Sequence, residues 1–164
     1  RIFSDVIPEA IKRLPEHLQK RLKITQQCRP EDLERANDNF NGANAAIELK
    51  SFFDDVPEQL ESCHLFIGRS GASTVSEIAI IGRPAIFVPL HHADMQQKVN
   101  ADVIADVGGG WVMMQDGFTP EALATRLETL FSLDENLENA AKKAGSVGQP
   151  DATKNLAKLI GSLL

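Results

Sequence analysis

Residues 68–77 form a segment rich in glycine and hydroxyl side chains, a composition typical of a phosphate-binding turn. The segment follows a short apolar run and leads into a stretch with helical character, which predicts a strand-to-helix turn. Glycine lets the backbone approach a ligand closely, and the first amides of a helix lack acceptors within the helix. Such a turn can cradle a phosphate, although an ordinary capped turn uses the same residue types and is an equal alternative. Neither GxGxxG nor GxxxxGKS/T occurs here, which argues against an NAD enzyme or an ATPase.

Glu77 closes this segment, in the first turn or so of the predicted helix. A carboxylate at that place can accept hydrogen bonds from two neighbouring hydroxyls of a ribose. The commoner role of such an acid is that of a solvated carboxylate stabilised by the helix dipole. Both interpretations of Glu77 stay open at this point.

Two adjacent amide side chains, Gln96 and Gln97, stand at the start of a later predicted helix. Amides both donate and accept, which suits the hydroxyls of a sugar, while a polar first turn without a ligand is the alternative. His91 and His92 lie just upstream. Adjacent histidines without a third partner at ligand spacing give little support to a metal site or a catalytic base.

Phe52 and Phe53 follow a predicted strand and precede a helix. Two aromatic rings at a strand end could flank a planar base. Packing in the core is the alternative for at least one of them.

Alternating apolar patterns and turn residues divide the chain into helices and strands. Helices are predicted over residues 5–22, 30–41, 54–63, 74–81, 95–105 and 119–131, with two more after residue 136 that separate near 148–150. Strands are predicted over residues 23–27, 45–49, 64–67, 84–88 and 111–114. The alternation indicates an α/β fold, a Rossmann-like doubly wound parallel sheet with helices on both faces. Because such sheets bind ligands at the carboxyl ends of their strands, we expect a site after residues 67 and 88.

The composition predicts one globular, soluble domain. With 17 basic and 23 acidic residues the net charge is −6, which offers no broad attraction to nucleic acid or anionic lipid. No apolar run reaches the roughly 20 residues that cross a bilayer. Cys28 and Cys63 show no metal-ligand spacing and predict a reducing, cytoplasmic environment. A chain that begins with Arg1 rather than Met is expected to be a fragment.

Four motifs follow one another in a fixed order: Phe-Phe-Asp-Asp at residues 52–55, Arg-Ser-Gly-Ala-Ser-Thr-Val-Ser-Glu at 69–77, Pro-Ala-Ile-Phe-Val-Pro at 84–89, and His-Ala-Asp-Met-Gln-Gln at 92–97 with Asn100 and Ala101. Together they resemble the MurG family of bacterial N-acetylglucosaminyltransferases, which have a two-domain GT-B fold. The resemblance covers nearly the whole chain, including Pro-Asp-Ala-Thr at residues 150–153.

This resemblance implies a role for each matching position. The residues expected around the nucleotide are Ala72, Ser73, Thr74, Val75, Ser76 and Glu77. The helix start would lie near the diphosphate, and Glu77 would hold the ribose hydroxyls. Phe53 would contact the uracil largely through its backbone, with Phe52 and Val56 lining the same pocket; isoleucine is common where Phe53 stands, so a base pocket of different shape is expected. Gln96 and Gln97 would recognise hydroxyls of the N-acetylglucosamine ring.

The resemblance also implies that much of the enzyme lies elsewhere. Residues 1–164 correspond to the UDP-sugar donor-binding domain, without the glycine-rich loop that would precede Arg1 and without an N-terminal domain. That domain would bind the lipid-linked acceptor, supply the catalytic base and carry the membrane-facing patch. We therefore expect no catalytic residue here, and an enzyme peripheral on the cytoplasmic face of the inner membrane. The motifs call for neither a metal nor a cofactor.

The implied reaction is inverting transfer of N-acetylglucosamine from UDP-N-acetylglucosamine to the lipid-linked muramyl-pentapeptide, lipid I to lipid II, in peptidoglycan synthesis. One alternative is a noncatalytic nucleotide-sugar-binding subunit that docks to a separate partner. Another is a different GT-B transferase with a glycolipid acceptor.

Overall fold

The structure, a computed structural model, describes residues 1–90 and 95–162. The helices are α1 (Ile2–Arg13), α2 (Glu16–Gln19), α3 (Leu33–Phe40), α4 (Val56–Ser62), α5 (Ala72–Ile81), α6 (Gln96–Ala105), α7 (Pro120–Phe131), α8 (Asp134–Gly145) and α9 (Ala152–Gly161). The strands are β1 (Lys23–Gln27), β2 (Ala46–Lys50), β3 (Phe66–Gly68), β4 (Ala85–Phe87) and β5 (Gly110–Val112). Short 3₁₀ turns span Pro30–Asp32 and Gln115–Gly117.

The chain divides into two compact units. The first contains Arg1–Gln59 and Met113–Leu137, and the second contains the described residues from Leu60 to Val112 and from Glu138 onward.

The first unit is built on the parallel pair β1 and β2, in which Lys23 lies opposite Ala46 and Gln27 opposite Lys50. Helix α1 packs against α3 and α7. Its buried face repeats at helical spacing and consists of Val6, Ile7, Ala10 and Ile11. The N-cap of α7 is Thr119, whose side-chain oxygen accepts a hydrogen bond from the Ala122 amide at 3.2 Å.

The second unit is built on a three-stranded parallel sheet in the order β3, β4, β5. Its core is made of buried apolar side chains from the sheet and helices: Leu60, Val75, Ile78, Ala79, Ala85, Phe87, Ala101, Ile104 and Ala144. Helix α5 ends at Gly82, whose φ of 70° is a left-handed conformation that glycine adopts without steric cost. The three strands point their carboxyl ends the same way, so the turns that follow β3 and β4 emerge at one edge of this sheet.

The predicted fold class is confirmed, because parallel sheets are flanked by helices. Strand β1 has the predicted bounds. The single helix predicted over residues 5–22 is wrong: α1 ends at Arg13, and Leu14 is extended with ψ 150°. Pro15 favours the break, since proline disfavours helical backbone in the residue before it, whereas Pro8 is accommodated within α1.

Within the described residues, no helix has both the length and the apolar character that crossing a membrane requires.

Candidate ligand-binding site

The turn between β3 and α5 has a glycine at each of its ends. Gly68 is buried at the end of β3, where an added Cβ would lie 2.4 Å from Cζ of Phe66. Gly71 is the N-cap of α5, and the first helical hydrogen bond runs from the Val75 amide to the Gly71 carbonyl at 3.0 Å. The amides of the three residues before Val75 therefore lie outside the hydrogen bonding of the helix itself. They provide the donors at the helix start that the sequence predicted.

The six residues predicted to surround a nucleotide differ in exposure. Ala72, Ser73, Ser76 and Glu77 are exposed, Thr74 is half-buried and Val75 is buried in the core of the second unit. The side chain of Val75 therefore packs inward, and only its backbone stays near the turn. Counted from Ala72, Glu77 is the sixth residue of α5 and lies in its second turn. Glu77 thus lies just beyond the first turn, and the explanation based on the helix dipole loses support because that effect fades beyond the first turn.

The start of α6 places two amide side chains in different surroundings. Gln96 is exposed, whereas Gln97 is half-buried and its Oε1 accepts a hydrogen bond from the Leu90 amide at 3.0 Å. Met95, the N-cap, has a φ of 53°, and its side chain forms no capping hydrogen bond. A left-handed conformation is strained for a residue other than glycine and occurs frequently at ligand sites.

Two hydrogen bonds join the β3–α5 turn to the first two turns of α6. The Ser70 hydroxyl donates to the Gln97 carbonyl at 2.7 Å. The Asn100 side-chain amide donates to the Ser70 carbonyl at 3.1 Å. The structure thus brings together two segments that the sequence singled out separately, residues 68–77 and the paired glutamines.

Arg69 holds the end of β4. Its guanidinium donates to the carbonyls of Val88 at 2.8 Å and Pro89 at 3.1 Å. Burial lowers the pKa of the Arg69 guanidinium, because a low-dielectric surrounding disfavours the charged form. Arginine nevertheless remains a cation near neutral pH. A positive charge therefore lies at the carboxyl ends of β3 and β4.

In the first unit, the aromatic pair after β2 is divided between core and surface. Phe53 is 6% exposed, and Lys50 Nζ lies 5.0 Å from the centroid of its ring. Phe52 is 71% exposed and Val56 is 39% exposed. The Phe53 ring is thus a core residue covered by a cation, which leaves its backbone, rather than its ring, for any ligand contact.

Also in the first unit, a pocket of about 360 Å³ opens beyond the ends of β1 and β2. Its lining consists of Arg1, Phe3, Ser4, Gln27, Cys28, Arg29, Pro30, Asp32 and Ser51. Asp32 is buried, and its Oδ1 accepts from Arg1 Nε at 3.3 Å and from Arg35 Nη2 at 2.9 Å. Burial, followed by the charge of Asp32, raises the pKa of the Cys28 thiol. Sequence reasoning missed this pocket, although its position at strand ends was the available signal.

His91 and His92 lie outside the described residues. Across residues 1–90 and 95–162, no group of three His, Cys, Asp or Glu side chains is arranged to hold a metal ion.

Parallel strands flanked by helices, with two polar helix starts joined beyond the strand ends, define an α/β class of protein in which ligands commonly bind at strand ends. The chain belongs to the glycosyltransferase family 28 C-terminal domain, which it matches over residues 1–156.

Curated relatives support the same family. The chain is 50% identical over 165 aligned positions to a protein of Paramagnetospirillum magneticum named UDP-N-acetylglucosamine–N-acetylmuramyl-(pentapeptide) pyrophosphoryl-undecaprenol N-acetylglucosamine transferase, with 100% of this chain and 44% of the relative covered. A protein of the same name from Rhodospirillum centenum is 46% identical, with 97% of this chain and 42% of the relative covered. The chain therefore spans less than half the length of these relatives.

A crystal structure of Acinetobacter baumannii MurG matches with a TM-score of 0.87 and 31% identity, covering 98% of this chain and 46% of that chain. A structure of the glycosyltransferase VinC in complex with DTDP matches with a TM-score of 0.70 at 18% identity, covering 96% of this chain and 36% of the other, and supports the fold alone. The fold is that of the C-terminal half of a GT-B glycosyltransferase.

Proposed function

We propose that this chain is the donor-binding part of an inverting glycosyltransferase of peptidoglycan synthesis. The reaction is transfer of N-acetylglucosamine from UDP-N-acetylglucosamine to the lipid-linked muramyl-pentapeptide, lipid I to lipid II. The observation that carries the proposal is the junction of the α5 start with the α6 start, made by Ser70 and Asn100 within a family 28 chain. The names of the curated relatives support this donor and acceptor.

The α5 start would bind the diphosphate. The exposed turn offers the amides of Ala72, Ser73 and Thr74, which lie outside the hydrogen bonding of the helix. As the acceptor hydroxyl attacks the anomeric carbon, the bond from that carbon to the diphosphate oxygen breaks and negative charge develops on UDP. Preorganised amides and the positive end of the helix dipole stabilise such charge. We place the base that deprotonates the acceptor outside this chain.

Glu77 would hold the ribose. Its carboxylate is exposed one turn beyond the amides, and it has acceptors for two adjacent hydroxyls. Val75 and Ser76 would line the nucleotide through their backbone. Exposure of Glu77 in the second turn of α5 supports a ligand role better than a role in stabilising the helix start.

Gln96 and Gln97 would recognise the sugar hydroxyls. The exposed amide of Gln96 can both donate and accept. The Gln97 oxygen already accepts a hydrogen bond from the Leu90 amide, so the proposed contribution of this side chain to the sugar contact comes chiefly from its NH2 donors. The two glutamines therefore make different contributions to the sugar contact.

In the first unit, we propose that Phe52, Phe53 and Val56 contact the uracil. The buried ring of Phe53 supports a backbone contact, while the exposed ring of Phe52 supports stacking on the base.

The whole of residues 1–164 would serve as one donor-binding domain. The lipid-linked acceptor and the cytoplasmic membrane surface would be contacted by the rest of the enzyme.

Calorimetric titration of the intact protein with UDP-N-acetylglucosamine, UDP-glucose and UDP tests this proposal, together with a transfer assay on the lipid-linked acceptor. We expect saturable binding of UDP and the N-acetylglucosamine donor, weaker binding of UDP-glucose, and transfer. Donor binding without transfer would favour a noncatalytic subunit. Transfer to a different glycolipid would favour another GT-B enzyme, and no binding by the folded protein would overturn the proposal.

A further inference from the structure

Ser70 is a buried serine whose hydroxyl and carbonyl both form hydrogen bonds with residues of α6. It is 0% exposed, its hydroxyl donates to the Gln97 carbonyl at 2.7 Å, and its carbonyl accepts from Asn100 Nδ2 at 3.1 Å. Its position immediately before the N-cap of α5 would ordinarily suggest help in capping that helix. No side chain caps α5 at Gly71, however, and the Ser70 hydroxyl serves α6 instead.

External bonds of this kind are made by the first turns of α6. Its N-cap, Met95, is left-handed and makes no side-chain capping bond. The residue after Met95 is Gln96, the exposed amide in the proposed sugar contact. The bonds of the first turn of α6 to Ser70 and of Gln97 to Leu90 therefore fix where that amide lies.

We infer that Ser70 is a positioning residue that sets the distance and angle between the diphosphate amides of α5 and the sugar-binding amide of Gln96. It touches no ligand itself. Its effect is on selectivity between ligands. A nucleotide sugar contacts both the α5 amides and Gln96, whereas UDP alone contacts only the α5 amides. This inference rests on the proposed function, because it assigns the α5 start to the diphosphate and Gln96 to the sugar.

The test compares Ser70→Ala with wild type in the intact protein, using UDP-N-acetylglucosamine and UDP as probes. Loss of one hydrogen bond that positions Gln96 is expected to raise Kd for UDP-N-acetylglucosamine about fivefold, with Kd for UDP changed less than about twofold. The donor KM should rise in parallel. Ser146→Ala is the matched control, because the Ser146 hydroxyl also donates to a carbonyl, that of Lys143 at 2.7 Å, and is exposed. This control should change neither Kd.

Asn100→Ala keeps the inference testable if Ser70→Ala fails to fold. It removes the second bond of the junction and leaves the buried hydroxyl in place, so it should show the same selective loss. Ser70→Thr retains the hydroxyl and should recover part of the donor affinity. Equal losses for the two ligands in Ser70→Ala and in Asn100→Ala would overturn the inference.

Coupling to Gln96 separates positioning from general destabilisation. If Ser70 acts through Gln96, Ser70→Ala should have almost no further effect on donor affinity in a Gln96→Ala background. A full fivefold additional loss in that background would overturn the inference and leave the proposed function intact. Wild-type protein that binds neither ligand would instead overturn the proposed function, and the inference with it.

Discussion

The side-chain oxygen of Gln97 accepts a hydrogen bond from the backbone amide of Leu90 at 3.0 Å. This contact ties the segment after β4 to the first turn of α6. Its neighbour Gln96 is exposed instead. Substitution of these two adjacent glutamines should therefore affect ligand affinity and protein stability differently.

Gln96→Ala should weaken binding of UDP-N-acetylglucosamine about tenfold and spare UDP, because it removes the proposed contact with the sugar and none with the nucleotide. Gln97→Ala should in addition lower the free energy of unfolding by about 1–3 kcal/mol, since the Leu90 amide loses its acceptor. Gln97→Glu keeps an oxygen acceptor and should retain most of that stability. Calorimetry and denaturant unfolding measure the two effects; equal losses of UDP and sugar-nucleotide affinity in Gln96→Ala would contradict the sugar contact.

Glu77→Ala should weaken UDP binding on the order of 10- to 100-fold, the size expected for charge-assisted hydrogen bonds to a ribose. The residue is exposed in the second turn of α5, so the thermal midpoint should barely change. The matched control is Glu138→Ala, which removes an exposed glutamate from α8. Unchanged UDP affinity in a folded Glu77→Ala variant would exclude the ribose role.

The sequence predicted the elements of this fold better than the contacts between them. The β1 strand and the turn at residues 68–77 follow from local signals, since β-branched Ile24 and Thr25 favour a strand and glycines mark the turn. The bond from Ser70 to Gln97 joins residues far apart in the chain, and no local pattern encodes it. The pocket beyond β1 and β2 was missed for the same reason, because its lining comes from several separate segments.

The two prolines of the segment over residues 5–22 differ in effect, because Pro8 lies inside α1 and Pro15 follows its end. The helical pattern across residues 5–22 continues through Pro15 in apolar spacing, but the backbone of Leu14 is extended and the helix divides there. At Phe52 and Phe53 the residue type alone could not show which ring is buried, because burial depends on the approach of Lys50 and other residues.

The two phenylalanines allow the same substitution to be compared at adjacent positions. Phe53→Ala should destabilise the protein by about 3–5 kcal/mol, because it removes a buried ring. Phe52→Ala should change stability by less than about 0.5 kcal/mol, because that ring is 71% exposed. If Phe52 stacks on the uracil, its loss should weaken UDP binding at least about fivefold. Denaturant unfolding measures the stability of the two variants, and calorimetry measures their affinity for UDP. Full UDP affinity in Phe52→Ala would contradict stacking.

The reactivity of the Cys63 thiol reports how far burial in the second unit disfavours its ionised form. Its Sγ lies 3.4 Å from the Leu60 carbonyl oxygen, and burial raises the pKa of the thiol, although the nearby charge of Arg83 opposes the rise. The thiol should therefore remain protonated at neutral pH, and alkylation of Cys63 should be slower than that of the unfolded chain at the same pH. Iodoacetamide labelling across pH, with the modified peptide identified by mass spectrometry, measures this rate separately from that of Cys28.

The same shift predicts a loss of stability at alkaline pH. Because the pKa of Cys63 is higher in the folded than in the unfolded state, its contribution to stability is complete below the unfolded pKa and is lost as pH rises through the folded pKa. Cys63→Ala should therefore lose less stability than wild type between neutral and alkaline pH, even if it is less stable at neutral pH. Thermal midpoints of both proteins, measured over that pH range, test this prediction. If the two curves of midpoint against pH run parallel, ionisation of Cys63 does not destabilise the folded state.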